Sequence, residues 1–299
     1  MIIYLNQKGR LGHQLIHLLV LEAYALKYNK NFYYKSFSKK YKGFFEIKNT
    51  KNIPTQVFSY WFIKIIYTIL RSLKIKSFKI CSFYFFINTD NQDKVIYHKE
   101  IEKLFSVSYP YVITDFMLSD VDIFMQYADE IGNMIDVTGN IKNKTNILFK
   151  NIRKHFKTTI AIHIRHTDFK TFVNGAYYFS TNEYRKVLDR FIKVLNLNKK
   201  DTAVIICSDE ILDISDFENY HTFYEKRSPI EDFSILKEVD YIISTKSLFG
   251  LCANILGNNF LYQVTNPEYL FTKNNIYTYK TLLLSEYGQN LTDTLKNNL

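Results

Sequence analysis

The second half of the chain has a rhythm that restricts what it can fold into. Thr159–Ile164, Thr202–Cys207, Tyr241–Ser244 and Phe260–Val264 are short, continuous apolar runs with little polar alternation. Strands of that kind are buried on both faces. Between them lie helical signals. Ser180-Thr-Asn-Glu183 is a capping box opening a helix through about Leu195. Ser228-Pro229-Ile-Glu231 is a second, with proline at the first helical position, and its helix ends near Val239. A short helix is expected over Ser247–Leu256. Strands alternating with helices predict a parallel sheet covered on both sides.

The first half starts in the same way. Ile2–Leu5 reads as a strand, Gln14–Tyr28 as a buried helix and Asn31–Tyr34 as the next strand. A helix is expected from a Ser119 cap to about Asp136, and the polar run Asn140–Asn146 reads as a lead into a linker. The expected division is 1–150 and 151–299. Three cysteines without paired spacing imply neither a disulfide framework nor a metal knuckle. The opening Met1-Ile-Ile-Tyr lacks a signal-peptide pattern, and no run of 18 uncharged apolar residues appears. The expectation is therefore a cytoplasmic protein.

Charge is concentrated in one place. Residues 35–80 hold eleven Lys or Arg against a single acid, Glu46, which equals the whole formal net charge of +10. The rest of the chain is balanced, which argues against a nucleic-acid partner. Inside this insert Phe58, Trp61, Phe62, Ile65, Ile66, Ile69 and Leu70 form a helical stripe. It has two readings: a helix packed on its domain, or one lying on an anionic membrane surface with Lys64 and Arg71 toward lipid.

Ligands of doubly wound sheets bind beyond the carboxyl ends of the strands, and four features fall there. His163-Ile-Arg165-His166-Thr167-Asp168 follows the strand Thr159–Ile164, with His163 and Arg165 on the same side by alternation. Arg165 has the fork geometry for phosphate, although an Arg–Asp brace beside a core histidine is the plainer reading. Gly9-Arg-Leu-Gly12-His-Gln follows the first strand, where glycines admit a ligand to a helix start. Ser244-Thr245-Lys-Ser247 joins a strand to a helix N-terminus that suits a phosphate or is simply capped. Ser208-Asp209-Glu210, with Asp232 in the next helix, offers acceptors for ribose or a base edge. Asp120-Val-Asp122 has the spacing of a metal-binding D-x-D but sits in a capping pattern.

Together these landmarks resemble the α-1,2-fucosyltransferases, glycosyltransferase family 11 of the wider H-x-R-R-x-D fucosyltransferase group. His163-x-Arg165-His166-x-Asp168 is similar to the H-x-R-R-x-D motif. Gly9-Arg-Leu-Gly12-His-Gln-Leu resembles the family's opening G-x-x-G-N-Q-L, and Asp232…Asp240-Tyr-Ile-Ile-Ser244-Thr-Lys-Ser247-Leu-Phe-Gly250 resembles its D…D-x-I-I-x-S-S-S segment. Ser208-Asp209-Glu210 stands where the family has S-D-D. The match spans roughly 1–30 and 155–265. The second arginine is His166 here, the asparagine is His13, and the insert lies outside the match.

The resemblance implies an α/β, GT-B-type fold of two Rossmann-like domains facing a central cleft. Residues 1–150 would be the acceptor side and 151–299 would bind the nucleotide sugar. It implies an inverting, metal-independent transfer of fucose from GDP-fucose to an oligosaccharide or lipid-linked glycan, such as a galactoside in surface polysaccharide or O-antigen synthesis. Related linkages, α-1,6 or protein-O, and a non-catalytic binding module are the alternatives. Arg165 would neutralise the departing diphosphate. His163 and Asp232 would lie near guanine, and Ser247 with its helix N-terminus would bind the terminal phosphate. Asp209, Ser244 and Thr245 would also contact the donor, and Gly9 and Gly12 would line the cleft. Asp168 is the first candidate for the base, and His166 the local alternative.

Overall fold

The computed structural model describes residues 122–278 continuously, residues 10–29, and shorter stretches between 2 and 118. Contacts divide the chain into two units, Met1–Lys42 with Ile47–Ile135 and Leu283–Leu299, and Gly43–Glu46 with Asp136–Leu282.

The first unit has strands β1 (Ile2–Tyr4), β2 (Phe32–Tyr34), β3 (Ser77–Ile80), β4 (Phe83–Ile87) and β5 (Tyr111–Thr114), in the sheet order β2-β1-β5-β4-β3. All pairs are parallel except the β3–β4 hairpin, so the strand-like stretch 75–87 is two strands. Helix α1 (Leu11–Tyr28) connects β1 to β2. It is apolar enough to bury Leu15, Leu18, Leu19 and Leu21 almost completely, and it ends on Asn29 in the left-handed conformation. Helix α2 spans Asp122–Met134. Ser119 and Asp120 lie outside the described residues, as do Phe58, Trp61 and Phe62 of the aromatic stripe. Within its described part Leu70 is buried while Ile69 is 51% exposed.

The second unit holds most of the residues singled out in the sequence. Its strands are β6 (Thr158–Ile164), β7 (Thr202–Ser208), β8 (His221–Tyr224), β9 (Tyr241–Thr245) and β10 (Phe260–Val264). All neighbours are parallel, in the order β8-β7-β6-β9-β10. The chain steps outward from β6 to β8, then returns to β9 on the other side of β6. That reversal is the topological switch point, where doubly wound sheets open a crevice at their carboxyl ends.

Alternation sorts the strand residues. Ile160, Ile162, Ile164, Val204 and Ile206 pack with Val187, Leu188 and Phe191 of helix α4 (Thr181–Leu195). Both predicted capping boxes form. Ser180 and Glu183 satisfy each other's amides at the start of α4, as Ser228 and Glu231 do at the start of helix α5 (Pro229–Glu238). Helix α6 (Leu248–Gly257) follows β9.

The linker reading of Asn140–Asn146 is overturned. It lies in helix α3 (Gly139–Ile152), which buries Ile141, Thr145, Phe149 and Ile152 and presents its polar residues elsewhere. Its apolar stripe is sparse, and Thr145 earns its buried place by donating a 2.8 Å hydrogen bond to Ser234 Oγ.

Candidate active site

Strands β6 and β9 meet in register at His163 and Ser244, on the two sides of the switch point. His163 Nδ1 lies 3.0 Å from Ser244 Oγ, and its ring stacks on Phe249 at 5.0 Å. Gly250 permits this, because a Cβ there would sit 3.0 Å from Ser244 Oγ. Burial, with the Arg165 charge adding, pushes the imidazole down to about 4, so the ring is neutral at pH 7.

Arg165 begins the turn beyond β6. Its Nε and one terminal nitrogen donate to the two oxygens of Asp168 at 2.8 and 2.5 Å, and its guanidinium lies 4.5 Å over the Phe169 ring. One edge of the fork is therefore tied, and the remaining N–H groups make no hydrogen bond within the described residues. An arginine held in this way is oriented before an anion arrives.

The same turn is braced from β7. Asp209 accepts from the backbone N–H of His166 at 2.9 Å and from the Thr167 N–H and hydroxyl. Burial pushes the Asp209 carboxyl up, but these donors outweigh it and hold the group below its usual range. His166 has both ring nitrogens engaged, Nδ1 with Glu210 at 2.8 Å and Nε2 with the Phe179 carbonyl at 2.7 Å.

Asp232, near the start of α5, is almost fully buried. Its carboxyl is raised to about 7 by burial, which Arg227 offsets only in part, and its Oδ1 has no hydrogen-bond partner among the described residues. Because the folded carboxyl holds its proton to higher pH than the unfolded one, stability is lost as pH rises from about 4 through about 7. Asp232→Asn is expected to flatten that slope in a series of thermal unfolding curves. An unchanged slope would mean that Asp232 does not titrate in this range.

Ser247 caps α6, its hydroxyl oxygen accepting from Phe249 N–H at 3.2 Å. The hydroxyl hydrogen stays available to a ligand. Thr245 is buried at the end of β9. Asp240 lies at the opposite end of the sheet, where it accepts from the Thr159 N–H and hydroxyl at 2.8 Å each, a structural brace.

The structure therefore gathers His163, Arg165, His166, Asp168, Asp209, Asp232, Ser244, Thr245 and Ser247 around the carboxyl ends of β6, β7 and β9. Gly12 lies in the first turn of α1 in the other unit, and Gly9 falls outside the described residues. Arg227 was missed in the sequence. Its side chain is 6% exposed, donates to the Ile206 carbonyl at 3.2 Å and sits 3.9 Å from Asp232. Lys226 donates to the Ser208 carbonyl at 2.8 Å. Cys207 is buried with its thiol pushed well up by that burial, as befits a packing residue. Among the described residues no three His, Cys, Asp or Glu side chains are grouped to hold a metal.

No family model matches the chain, and no curated protein matches it in sequence. Thirty-eight chains of solved structures match its fold. A mutant of Arabidopsis thaliana FUT1 in complex with GDP is 12% identical, with 89% of this chain and 71% of that one covered and a TM-score of 0.57. NodZ α-1,6-fucosyltransferase soaked with GDP-fucose is 16% identical over 93% and 98% of the two chains, with a TM-score of 0.52. NodZ is a Bradyrhizobium protein. POFUT1 in complex with GDP-fucose is 12% identical over 86% and 95%, at 0.50. At these identities the likeness is one of fold: the chain has the α/β, GT-B-type architecture of these fucosyltransferases.

Proposed function

We propose that the chain is an inverting fucosyltransferase that moves L-fucose from GDP-fucose to a hydroxyl of a glycan. The observation that carries this reading is Arg165, tied along one edge by Asp168 and without a hydrogen bond along the other among the described residues, beyond the central strand at the switch point. In the reaction the bond from fucose C1 to the diphosphate oxygen breaks while an acceptor hydroxyl adds from the opposite face and passes its proton to solvent. The sugar gains oxocarbenium character and negative charge grows on the leaving diphosphate. Arg165 meets that charge, and the Ser247 hydroxyl with the amides of α6 meets the terminal phosphate. A metal is not needed for that neutralisation in this scheme. Guanine would lie near His163 and Asp232. As a carboxylate, Asp232 would accept from the two donors on the base edge. GDP binding near pH 6.5 should therefore release about one proton, since a group held near 7 must ionise. Calorimetry in buffers of different ionisation enthalpy reads this directly, and no release would move guanine away from Asp232.

Asp209 is committed to bracing the turn, so its role is to hold Arg165 rather than to touch the donor. The candidate bases change too. Asp168 is engaged with Arg165 and His166 at both nitrogens, so orienting Arg165 is the better role for Asp168.

The α-1,2 linkage to a galactoside, in surface polysaccharide synthesis, is supported by the resemblance of the Gly9–Leu15 and Asp240–Gly250 segments alone. The α-1,6 activity named for NodZ supports a second linkage. No helix among the described residues is long and apolar enough to cross a membrane. The insert 35–80 is proposed to hold the enzyme on an anionic inner membrane face, near a lipid-linked acceptor. Co-sedimentation with phosphatidylserine vesicles at low salt should succeed and fail in about 0.5 M salt, where screening is strong. No binding at low salt would contradict it.

A further inference from the structure

His166 is almost fully buried, and its two nitrogens face Glu210 Oε1 and the carbonyl oxygen of Phe179. Both neighbours are acceptors only. A neutral imidazole has one N–H, so it satisfies one neighbour and turns a lone pair on the other, whereas the imidazolium donates to both. The surrounding groups do not supply the missing proton. Lys170 Nζ lies 3.5 Å from Glu210 Oε2 and 5.7 Å over the Tyr178 ring, which itself packs 4.5 Å from His166. Asp209 accepts from the His166 backbone N–H, and Arg165 and Asp168 are engaged with each other. Lys226 is bound to the Ser208 carbonyl at the root of the loop.

The segment between His166 and Phe179 needs such an anchor. It runs through three successive left-handed residues, Val173 (φ 48°), Asn174 (φ 55°) and Gly175 (φ 78°). A β-branched residue there is strained and is held only by its surroundings.

We propose that Glu210 is a positioning residue for Arg165. Through His166 it ties the loop after β7 to the carbonyl of Phe179, fixing the turn that presents the guanidinium. The proposal rests on the reading of Arg165 as the diphosphate-binding group. Glutamine at position 210 keeps the tie, because its side-chain amide can both accept from and donate to the facing ring nitrogen, whereas alanine removes it.

The test uses the full chain as wild type, Glu210→Gln and Glu210→Ala. GDP affinity and unfolding temperature are measured for all three at one pH. Glu210→Ala should bind GDP about tenfold more weakly than wild type. Glu210→Gln, which keeps a hydrogen-bonding partner for His166, should restore most of that loss. Glu210→Ala with the GDP affinity of wild type, or Glu210→Gln as weak as Glu210→Ala, would overturn the proposal. If none of the three binds GDP, the reading of Arg165 fails. The tie is then judged on unfolding temperature: a fall in Glu210→Ala that Glu210→Gln lacks upholds it, and equal temperatures in all three reject it.

Discussion

Arg165→Ala is expected to lower the rate of fucosyl transfer about 10²- to 10³-fold, or about 3–4 kcal/mol in the barrier, and to weaken GDP binding. The reason is geometric. The two-point contact with Asp168 fixes the plane of the guanidinium at the carboxyl end of β6. A donor fixed in advance stabilises charge as it develops without reorganising. Arg165→Lys should recover little, because a lysine cannot keep one edge on Asp168 while offering another to phosphate. The unfolding temperature should barely move, since the Asp168 side chain left behind is 35% exposed and stays solvated. Steady-state kinetics with GDP-fucose and calorimetry with GDP provide the two readouts. Retained turnover would remove Arg165 from the reaction.

Gly257→Ala should be the most damaging single-methyl change to the second unit. Gly257 ends α6, and a Cβ there would lie 2.4 Å from the carbonyl oxygen of Lys237 and 2.9 Å from its Cα. Those are backbone atoms of α5, so no side-chain rotation relieves the overlap and the helices must part. Overpacking of this kind costs about 1–3 kcal/mol, sometimes more. For a unit of this size the unfolding temperature should fall by roughly 5–10 °C. Because α5 carries Asp232 and α6 begins at the Ser247 cap, GDP affinity should fall with it. An unchanged unfolding temperature would mean that the helices yield freely.

Much of the second unit was legible because its signals are local. A run such as Thr202–Cys207 has few homes other than a buried strand, and the two Ser-x-x-Glu boxes form as read. Strand β8 was not seen. It sits at the sheet edge and its residues are only partly buried, so His221-Thr-Phe-Tyr224 has neither a continuous apolar run nor clean alternation. The buried Arg227 follows from that omission. Before a capping box, Lys226-Arg227 looks like surface charge, and only the return from β8 turns the guanidinium under the end of β7. The pairing of Arg165 with Asp168 was visible at i, i+3. The double engagement of His166 was not, because the Asn174-Gly175 pair signals a turn but not that it brings Phe179 back to His166.

On the proposed function, the carboxyl ends of β6, β7 and β9 hold a guanosine diphosphate sugar through Arg165. Thermal unfolding of wild type and Arg165→Ala against GDP-fucose, GDP-mannose and UDP-galactose tests it most directly. At a hundredfold excess over Kd a ligand stabilises its protein by about 2.7 kcal/mol. GDP-fucose should raise the wild-type unfolding temperature more than GDP-mannose does, UDP-galactose should leave it unchanged, and Arg165→Ala should lose most of the GDP-fucose shift. Stabilisation by UDP-galactose alone, or an equal GDP-fucose shift in both proteins, would contradict it.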